Sequence, residues 1–208
     1  SDGRAKSVYA PRPEGQAVAL DRAYEAAGYG PETVELIEAH GTGTKAGDAS
    51  EFASLNLAFD KSGRTDRQWC ALGSIKSQIG HTKGAAGAAS LFKAVMALHH
   101  KVLPPTIKVD RPNPKLDVKN SAFYINTRAR PWIRDSAFPR RASVSSFGFG
   151  GTNFHVALEE YPEATPNRRF RPSPKRLCVW SAGTVDALFA SAAESHEGLE
   201  DGSDELEI

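Results

Sequence analysis

Two short segments each set a histidine beside a glycine-containing turn, directly after an apolar stretch. The first is Glu38-Ala39-His40-Gly41-Thr42-Gly43-Thr44 and the second is Lys76-Ser77-Gln78-Ile79-Gly80-His81. Imidazole is the side chain whose ordinary pKa lies closest to neutrality, so it can donate, accept or pass on a proton there. Gly41 and Gly43 let a ligand come close to the backbone, and Thr42 and Thr44 offer hydroxyls to an amide-rich chain. Taken singly, the first segment also fits a strand-end turn with a surface histidine, and the second a polar loop that caps a helix. Taken together, they follow two successive strands of one βαβ unit. In open α/β sheets ligands bind at the carboxyl ends of the strands. Two imidazoles converging there can donate hydrogen bonds to one developing oxyanion. Lys76 is placed to orient or polarise His81 or a nearby water, although an ion pair with Glu51 fits this lysine at least as well. A third segment, Ser146-Phe147-Gly148-Phe149-Gly150-Gly151-Thr152-Asn153, offers backbone amides that can form a nest for an anion or carbonyl. Phe149 lies between two glycines and is free to swing as a gate. A plain glycine-rich hairpin is the alternative reading of this segment.

The elements that must hold these loops follow from periodicity. Residues 14–28 have helical spacing, with Val18, Ala19, Ala23, Ala26 and Ala27 on one face and Gly28 as a stop. Residues 34–39 read as a short buried strand. Asp48 and Glu51 match a capping box, and Phe52, Leu55 and Phe59 continue with helical spacing. Residues 70–75 read as a second strand. The small-residue run at 84–89 enters a helix through Leu91, Val95 and Leu98, ended by Pro104-Pro105. His99 and His100 read as its solvated end, and residues 109–121 as a surface loop. Three further strands are expected at 123–125, 142–147 and 154–158. In the last, Phe154, Val156 and Leu158 alternate with His155, Ala157 and Glu159, as in a strand with one buried face. The result is an α/β layered unit, βαβα followed by antiparallel strands. Beyond Tyr161 the composition turns to Pro, Arg and Asn. A strand at 177–182, an amphipathic helix at 185–193 and a fraying acidic tail from Glu194 are expected.

Composition narrows the function classes. The 208 residues are 40% hydrophobic and 25% charged, which suits a packed domain. The net charge of +1 argues against nucleic acid or anionic lipid as partner. Arg168, Arg169 and Arg171 read as part of a linker. No apolar run approaches the ~20 residues that span a bilayer. Two cysteines, Cys70 and Cys178, read as reduced thiols of a cytoplasmic protein. Gly41-x-Gly43-x-x-x-Gly47 is one residue out of the dinucleotide fingerprint, no phosphate-binding P-loop occurs, and no Cys/His cluster has zinc spacing.

The motifs jointly resemble the C-terminal half of the β-ketoacyl synthases of fatty acid and polyketide synthesis. The matching residues are 38–44 with Gly47, Asp48 and Glu51; Lys76, Ser77, Gly80 and His81 with the Ala/Gly helix; Leu103-Pro104-Pro105-Thr106; Asn113-Pro114; and 147–153. Arg12-Pro13-Glu14-Gly15-Gln16 and residues 97–102 look most like the ketosynthase of polyunsaturated fatty acid synthases. The match covers 1–161, and 162–208 resembles the start of a linker after such domains. The resemblance implies a thiolase fold with layered α-β-α halves and a mixed sheet. It implies a decarboxylative Claisen condensation of a malonyl-type extender with a cysteine-bound acyl chain. His40 and His81 would be catalytic, Lys76 supporting, Thr42 and Thr44 contacts of the phosphopantetheine arm, Phe149 the gating aromatic, and Gly150 a further substrate-binding residue. Asp48 and Glu51 would give structural support. No metal or tightly bound cofactor is implied; an acyl carrier protein delivers the phosphopantetheine arm, and the complete domain is expected to be a homodimer.

The family's nucleophile lies in a Thr-Ala-Cys-Ser-like strand-to-helix turn of the N-terminal half. Neither Cys70, opening a strand, nor Cys178 has that setting or a helix start that would lower its pKa. The expectation is therefore a fragment, cleaved product or one chain of a split enzyme, working with an N-terminal half. The alternative is a non-catalytic ketosynthase-like partner with a chain-length or dimerisation role.

Overall fold

The structure, a computed structural model, describes residues 4, 7, 10–133, 137–161 and 179–200. The chain forms two compact units, Ser1–Glu163 and Ala164–Ile208. The elements of the first are α1 (Pro13–Ala27), β1 (Leu36–Glu38), α2 (Lys45–Phe59), β2 (Cys70–Gly73), a single turn α3 (Lys76–Ile79), α4 (Ala86–His100), β3 (Val102–Leu103), β4 (Phe123–Ile125), β5 (Arg130–Pro131), β6 (Arg141–Gly148) and β7 (Thr152–Glu159). In the second, α5 runs Val185–Glu200.

Five strands form one sheet in the order β4-β2-β1-β6-β7, while β3 and β5 pair separately. The pairings of β1 with β2 and β6, and of β2 with β4, are parallel, and β7 returns antiparallel to β6. The sheet is thus mixed, and the carboxyl ends of β1, β2 and β6 point the same way. One face carries α1 and α2 over a core of Leu20, Tyr24, Ile37, Phe52, Leu55, Phe59, Cys70 and Phe123. The other carries α4, whose Ala94, Ala97 and Leu98 pack with Leu36, Ala71, Ala142, Val144 and Trp132. Alternate residues of a strand serve opposite faces, which is why Leu36 and Ile37 enter different cores.

Gly28 at φ +74° ends α1, as its sequence predicts, and Pro13 in the first turn opens it. Its buried face differs from expectation. Gln16, Ala17, Leu20 and Tyr24 are buried, whereas Val18 is 45% exposed. Alanines are nearly indifferent to burial, while Leu20 and the aromatic Tyr24 carry the apolar area that decides the orientation. The Tyr24 hydroxyl lies 3.1 Å from Ser143 Oγ and 3.2 Å from His155 Nε2, and His155 Nδ1 lies 3.1 Å from Ser145 Oγ. Burial pushes His155 down to about 3, so this chain of polar groups holds a neutral ring between α1 and β7.

The α4 side is close-packed, because a Cβ at Gly87 would sit 3.3 Å from Ser146 Oγ. The opposite helix face differs from the expected stripe: Leu91, Phe92 and Val95 are 37%, 65% and 45% exposed. On β7, Phe154 lies opposite Ser146 and Val156 opposite Val144. Both therefore stand on the α4 side of the sheet, yet they are 64% and 42% exposed. The alternation expected of β7 is present, but its apolar set is the uncovered one. An apolar face of this kind marks a contact surface.

Two 3-10 turns, Pro114–Leu116 and Val118–Asn120, break the expected loop at 109–121, and Val118 is buried. The expected strand at 177–182 does not form in its described part, 179–182, and residues 177–178 lie outside the described residues. The helix beginning at Val185 continues to Glu200, so the fraying expected from Glu194 starts no earlier than that; 201–208 lie outside the described residues. The linker arginines 168, 169 and 171 also lie outside them.

Candidate active site

His40 leaves the end of β1, and its loop is fixed by a carboxylate from α2. Glu51 accepts hydrogen bonds from the N–H groups of His40 at 2.7 Å and Gly41 at 2.8 Å. Burial pushes the Glu51 carboxyl up to about 7, against the pull of the Gly41 and His40 amides. Asp48 accepts from the Gly43 N–H at 3.1 Å, and burial raises its carboxyl above the usual range. The expected capping box of Asp48 and Glu51 is therefore corrected. The helix cap is Thr44, whose Oγ1 accepts from the Gly47 N–H at 3.2 Å. The two carboxylates instead reach back to the preceding loop, where amides turned by the glycines need acceptors. Thr42 and Thr44 share a hydroxyl contact of 3.1 Å at the mouth of this loop.

Gly41 has φ +47°, and a Cβ there would lie 2.6 Å from the Cβ of Ser74. The loop after β1 thus packs directly against the loop after β2, which carries Lys76 and His81. Gly80, at φ +76°, turns the chain out of α3 into His81. The Nδ1 of His81 accepts the Lys83 N–H at 3.0 Å. In the neutral ring the proton is then on Nε2, which is left to donate.

The rings of His40 and His81 lie 5.5 Å apart at 85°, edge to face. The Phe147 ring lies 6.0 Å from His40 and brings the end of β6 into the same site. Burial, then the charges of Lys76 and His81, lower His40 to about 4. His81 is exposed in this chain and is lowered too, by partial desolvation and then by Lys76 and Lys83. Both rings are thus neutral at pH 7. His40 Nδ1 and Lys76 Nζ are buried without a hydrogen-bond partner. Burial lowers the lysine from its ordinary value, opposed by the charges of Glu51 and Glu38.

No Lys76–Glu51 ion pair forms, because Glu51 spends its oxygens on backbone amides. A buried ion pair beside this loop is one that the sequence motifs do not announce: Lys93 Nζ on α4 lies 2.8 Å from Glu38 Oε2 at the end of β1. Its one signal is a lysine at 93 in step with Ser90, Ala94 and Ala97, the inward positions of α4.

The segment at 146–153 is a hairpin, β6 and β7 joined by the turn Phe149–Gly151 with Gly150 at φ +71°. Phe149 is 71% exposed, two residues beyond Phe147. Cys70 is fully buried in the core, where burial raises its thiol well above the usual value. Cys178 lies outside the described residues. Among the described residues no group of three His, Cys, Asp or Glu side chains could hold a metal, and no helix is long and apolar enough to cross a membrane.

Residues 1–110 match the family model of the beta-ketoacyl synthase C-terminal domain, and residues 112–206 that of the ketoacyl-synthetase C-terminal extension. The chain is 47% identical over 195 residues to a polyunsaturated fatty acid synthase of Thraustochytrium sp., covering 90% of this chain and 7% of that protein. It is 41% identical over 193 residues to polyketide synthase PksL of Bacillus subtilis, covering 92% and 4%. The ketosynthase from module 6 of the Bacillus subtilis bacillaene synthase superposes with a TM-score of 0.74 at 37% identity, over 98% of this chain and 34% of that one. The ketosynthase from module 1 of the Bacillus amyloliquefaciens bacillaene synthase gives 0.72 at 39%, over 79% and 29%. The chain spans about a third of these solved ketosynthases and under a tenth of these two curated relatives. These likenesses give the layered sheet and helices the thiolase fold of ketosynthases. With paired histidines at adjacent strand ends and family matches running from residue 1 to residue 206, the chain belongs to the β-ketoacyl synthases, as their C-terminal domain.

Proposed function

We propose that this chain supplies the decarboxylating half of a ketosynthase in polyunsaturated fatty acid or polyketide biosynthesis, and that an N-terminal half supplies the nucleophilic cysteine. The observation that carries this reading is the edge-to-face pair of neutral imidazoles, 5.5 Å apart, with His81 Nδ1 already engaged by the Lys83 amide. The names of the relatives support the pathway class.

The chemistry follows from that geometry. The bond between Cα and the carboxylate of a malonyl-type thioester breaks, carbon dioxide leaves, and the electron pair passes into an enolate. Its oxygen takes the charge, and N–H groups of His40 and His81 stabilise it as it forms. The Cα of the enolate attacks the acyl carbonyl, and the cysteine departs as thiolate with the C–S electron pair. Burial first, and then Lys76 beside it, keep the His40 ring neutral. Thr42 and Thr44 face the phosphopantetheine arm presented by an acyl carrier protein, Phe149 gates the entrance, and Gly150 beside it binds substrate. Asp48 and Glu51 hold the His40 loop. The complete domain acts as a homodimer in the cytoplasm.

Nucleophilic catalysis needs a positioned, accessible thiolate, and buried Cys70 cannot provide one. Incubated alone with a radiolabelled acyl thioester, the chain is expected to take up no stable label. Together with the N-terminal half, one label per active site should appear on that half. Stoichiometric label on Cys70 or Cys178 would contradict the proposal.

A further inference from the structure

Glu38 and Lys93 form a buried cluster that touches no position assigned above to substrate. Glu38 is the last residue of β1, two before His40, and is 1% exposed; Lys93 reaches it from the inward side of α4 and is 8% exposed. Glu38 Oε2 lies 2.8 Å from Lys93 Nζ, and Glu38 Oε1 accepts the Ile75 N–H at 2.5 Å. Ile75 is the residue from which α3 starts, so the next residue is Lys76 and the turn leads through Gly80 to His81. A single carboxylate thus ties the end of β1, the start of α3 and the middle of α4 together. Burying both ions is costly, and a pair of this kind is easily replaced by apolar packing where only stability is at stake. Here one oxygen is committed to a backbone amide of the loop that carries the site, which an apolar replacement cannot hold.

We infer that Lys93 and Glu38 are positioning residues for the decarboxylation step, fixing the Ile75 amide and through it Lys76 and His81 relative to His40. This rests on the function proposed above. Lys93 acts at one remove: it keeps the Glu38 carboxylate in place, and the carboxylate keeps the turn in place. Without the lysine, Glu38, whose carboxyl burial already raises, either takes up a proton or turns to its other cationic neighbour, Lys76, and the carboxyl then no longer holds the turn at Ile75 as it does here. Displacements of about 1 Å at reacting groups cost on the order of 10²-fold in rate.

The test uses the enzyme assembled with its N-terminal half, measuring carbon dioxide release from a malonyl thioester separately from acyl loading. Lys93→Met should lower kcat for decarboxylation about 10- to 100-fold, with acyl loading within about twofold of wild type. The double variant Glu38→Gln with Lys93→Met keeps an acceptor for the Ile75 amide but removes both charges. It should recover decarboxylation to within about fivefold of wild type, the modest cost expected when a charged acceptor becomes neutral. Equal loss of both steps in Lys93→Met, unchanged decarboxylation in it, or a double variant no better than it would overturn the inference. Should Lys93→Met not fold, the double variant decides: recovery supports the inference, and any larger loss overturns it. His81→Ala run alongside separates the two claims. If it decarboxylates normally, the proposed function fails and this inference with it. If it is inactive while Lys93→Met is normal, only the inference fails.

Discussion

In the assembled enzyme, His40→Ala and His81→Ala should each slow malonyl decarboxylation by about 10²–10³-fold, the usual loss for one oxyanion donor. Acyl loading should stay near wild type in both, because the proposed mechanism gives that step to a cysteine of the other half. The two losses should also be far from additive, since both donors serve one oxygen. The pH dependence gives a second signature. In the proposed mechanism His40 works as the neutral ring, and burial holds it down to about 4 from an ordinary 6.5. A lowered pKa keeps the neutral form populated to lower pH, and both rings are lowered, so acid loss of decarboxylation should set in below 6.5, with the His40 contribution near pH 4. Rates of carbon dioxide release between about pH 4 and 8 check this. Decarboxylation within a few-fold of wild type in either alanine variant would remove that histidine from the mechanism.

The second large effect concerns the uncovered apolar face. Leu91, Phe92 and Val95 on α4 and Phe154 and Val156 on β7 are exposed on the same side of the sheet. The chain spans about a third of the solved ketosynthases, so the family leaves ample chain to cover that face. We expect the N-terminal half to bind there, burying more than ~2,000 Å² in total, as obligate interfaces do. Phe92→Glu places a carboxylate in the middle of that interface. It should weaken association by about 30-fold or more, the equivalent of losing a hot spot of ~2 kcal/mol. Light scattering after size-exclusion chromatography should show the wild-type chain associated with its partner half, and Phe92→Glu largely dissociated. A wild-type chain that stays a compact 22.4 kDa monomer, with cooperative unfolding and no affinity for the N-terminal half, would favour the non-catalytic reading instead.

The loops that carry His40 and His81 are legible in the sequence because glycine and threonine beside a histidine have few other uses at a strand end. The βαβ order, the end of α1 at Gly28 and the core setting of Cys70 follow from periodicity and from a stop residue, whereas α4 ends at His100, capped by Lys101, before the Pro104-Pro105 expected to stop it. Other features are not legible, for separable reasons. Alternation in β7 shows which face is apolar, but not whether this chain covers it, so Phe154 and Val156 read as buried when they are not. In α1, alanines outnumber the larger apolar residues and obscure the orientation set by Leu20 and Tyr24. Asp48 and Glu51 have the spacing of a helix cap, yet the amides of His40, Gly41 and Gly43 compete for them and win. That competition depends on the path of the loop, which spacing along a helix does not encode. The Glu38–Lys93 pair joins residues 55 positions apart and needs the sheet before it can be seen.

Central to this assignment is a division of labour, with decarboxylation in this chain and the nucleophile in its partner. One comparison tests it most directly. Carbon dioxide release from a malonyl thioester is measured in two assembled enzymes, one with the partner's nucleophilic cysteine replaced by alanine, the other with His40→Ala and His81→Ala here. The first is predicted to release carbon dioxide still, without forming condensation product, while the second loads acyl groups but releases none above background. Release that vanishes with the cysteine and persists without both histidines would contradict it.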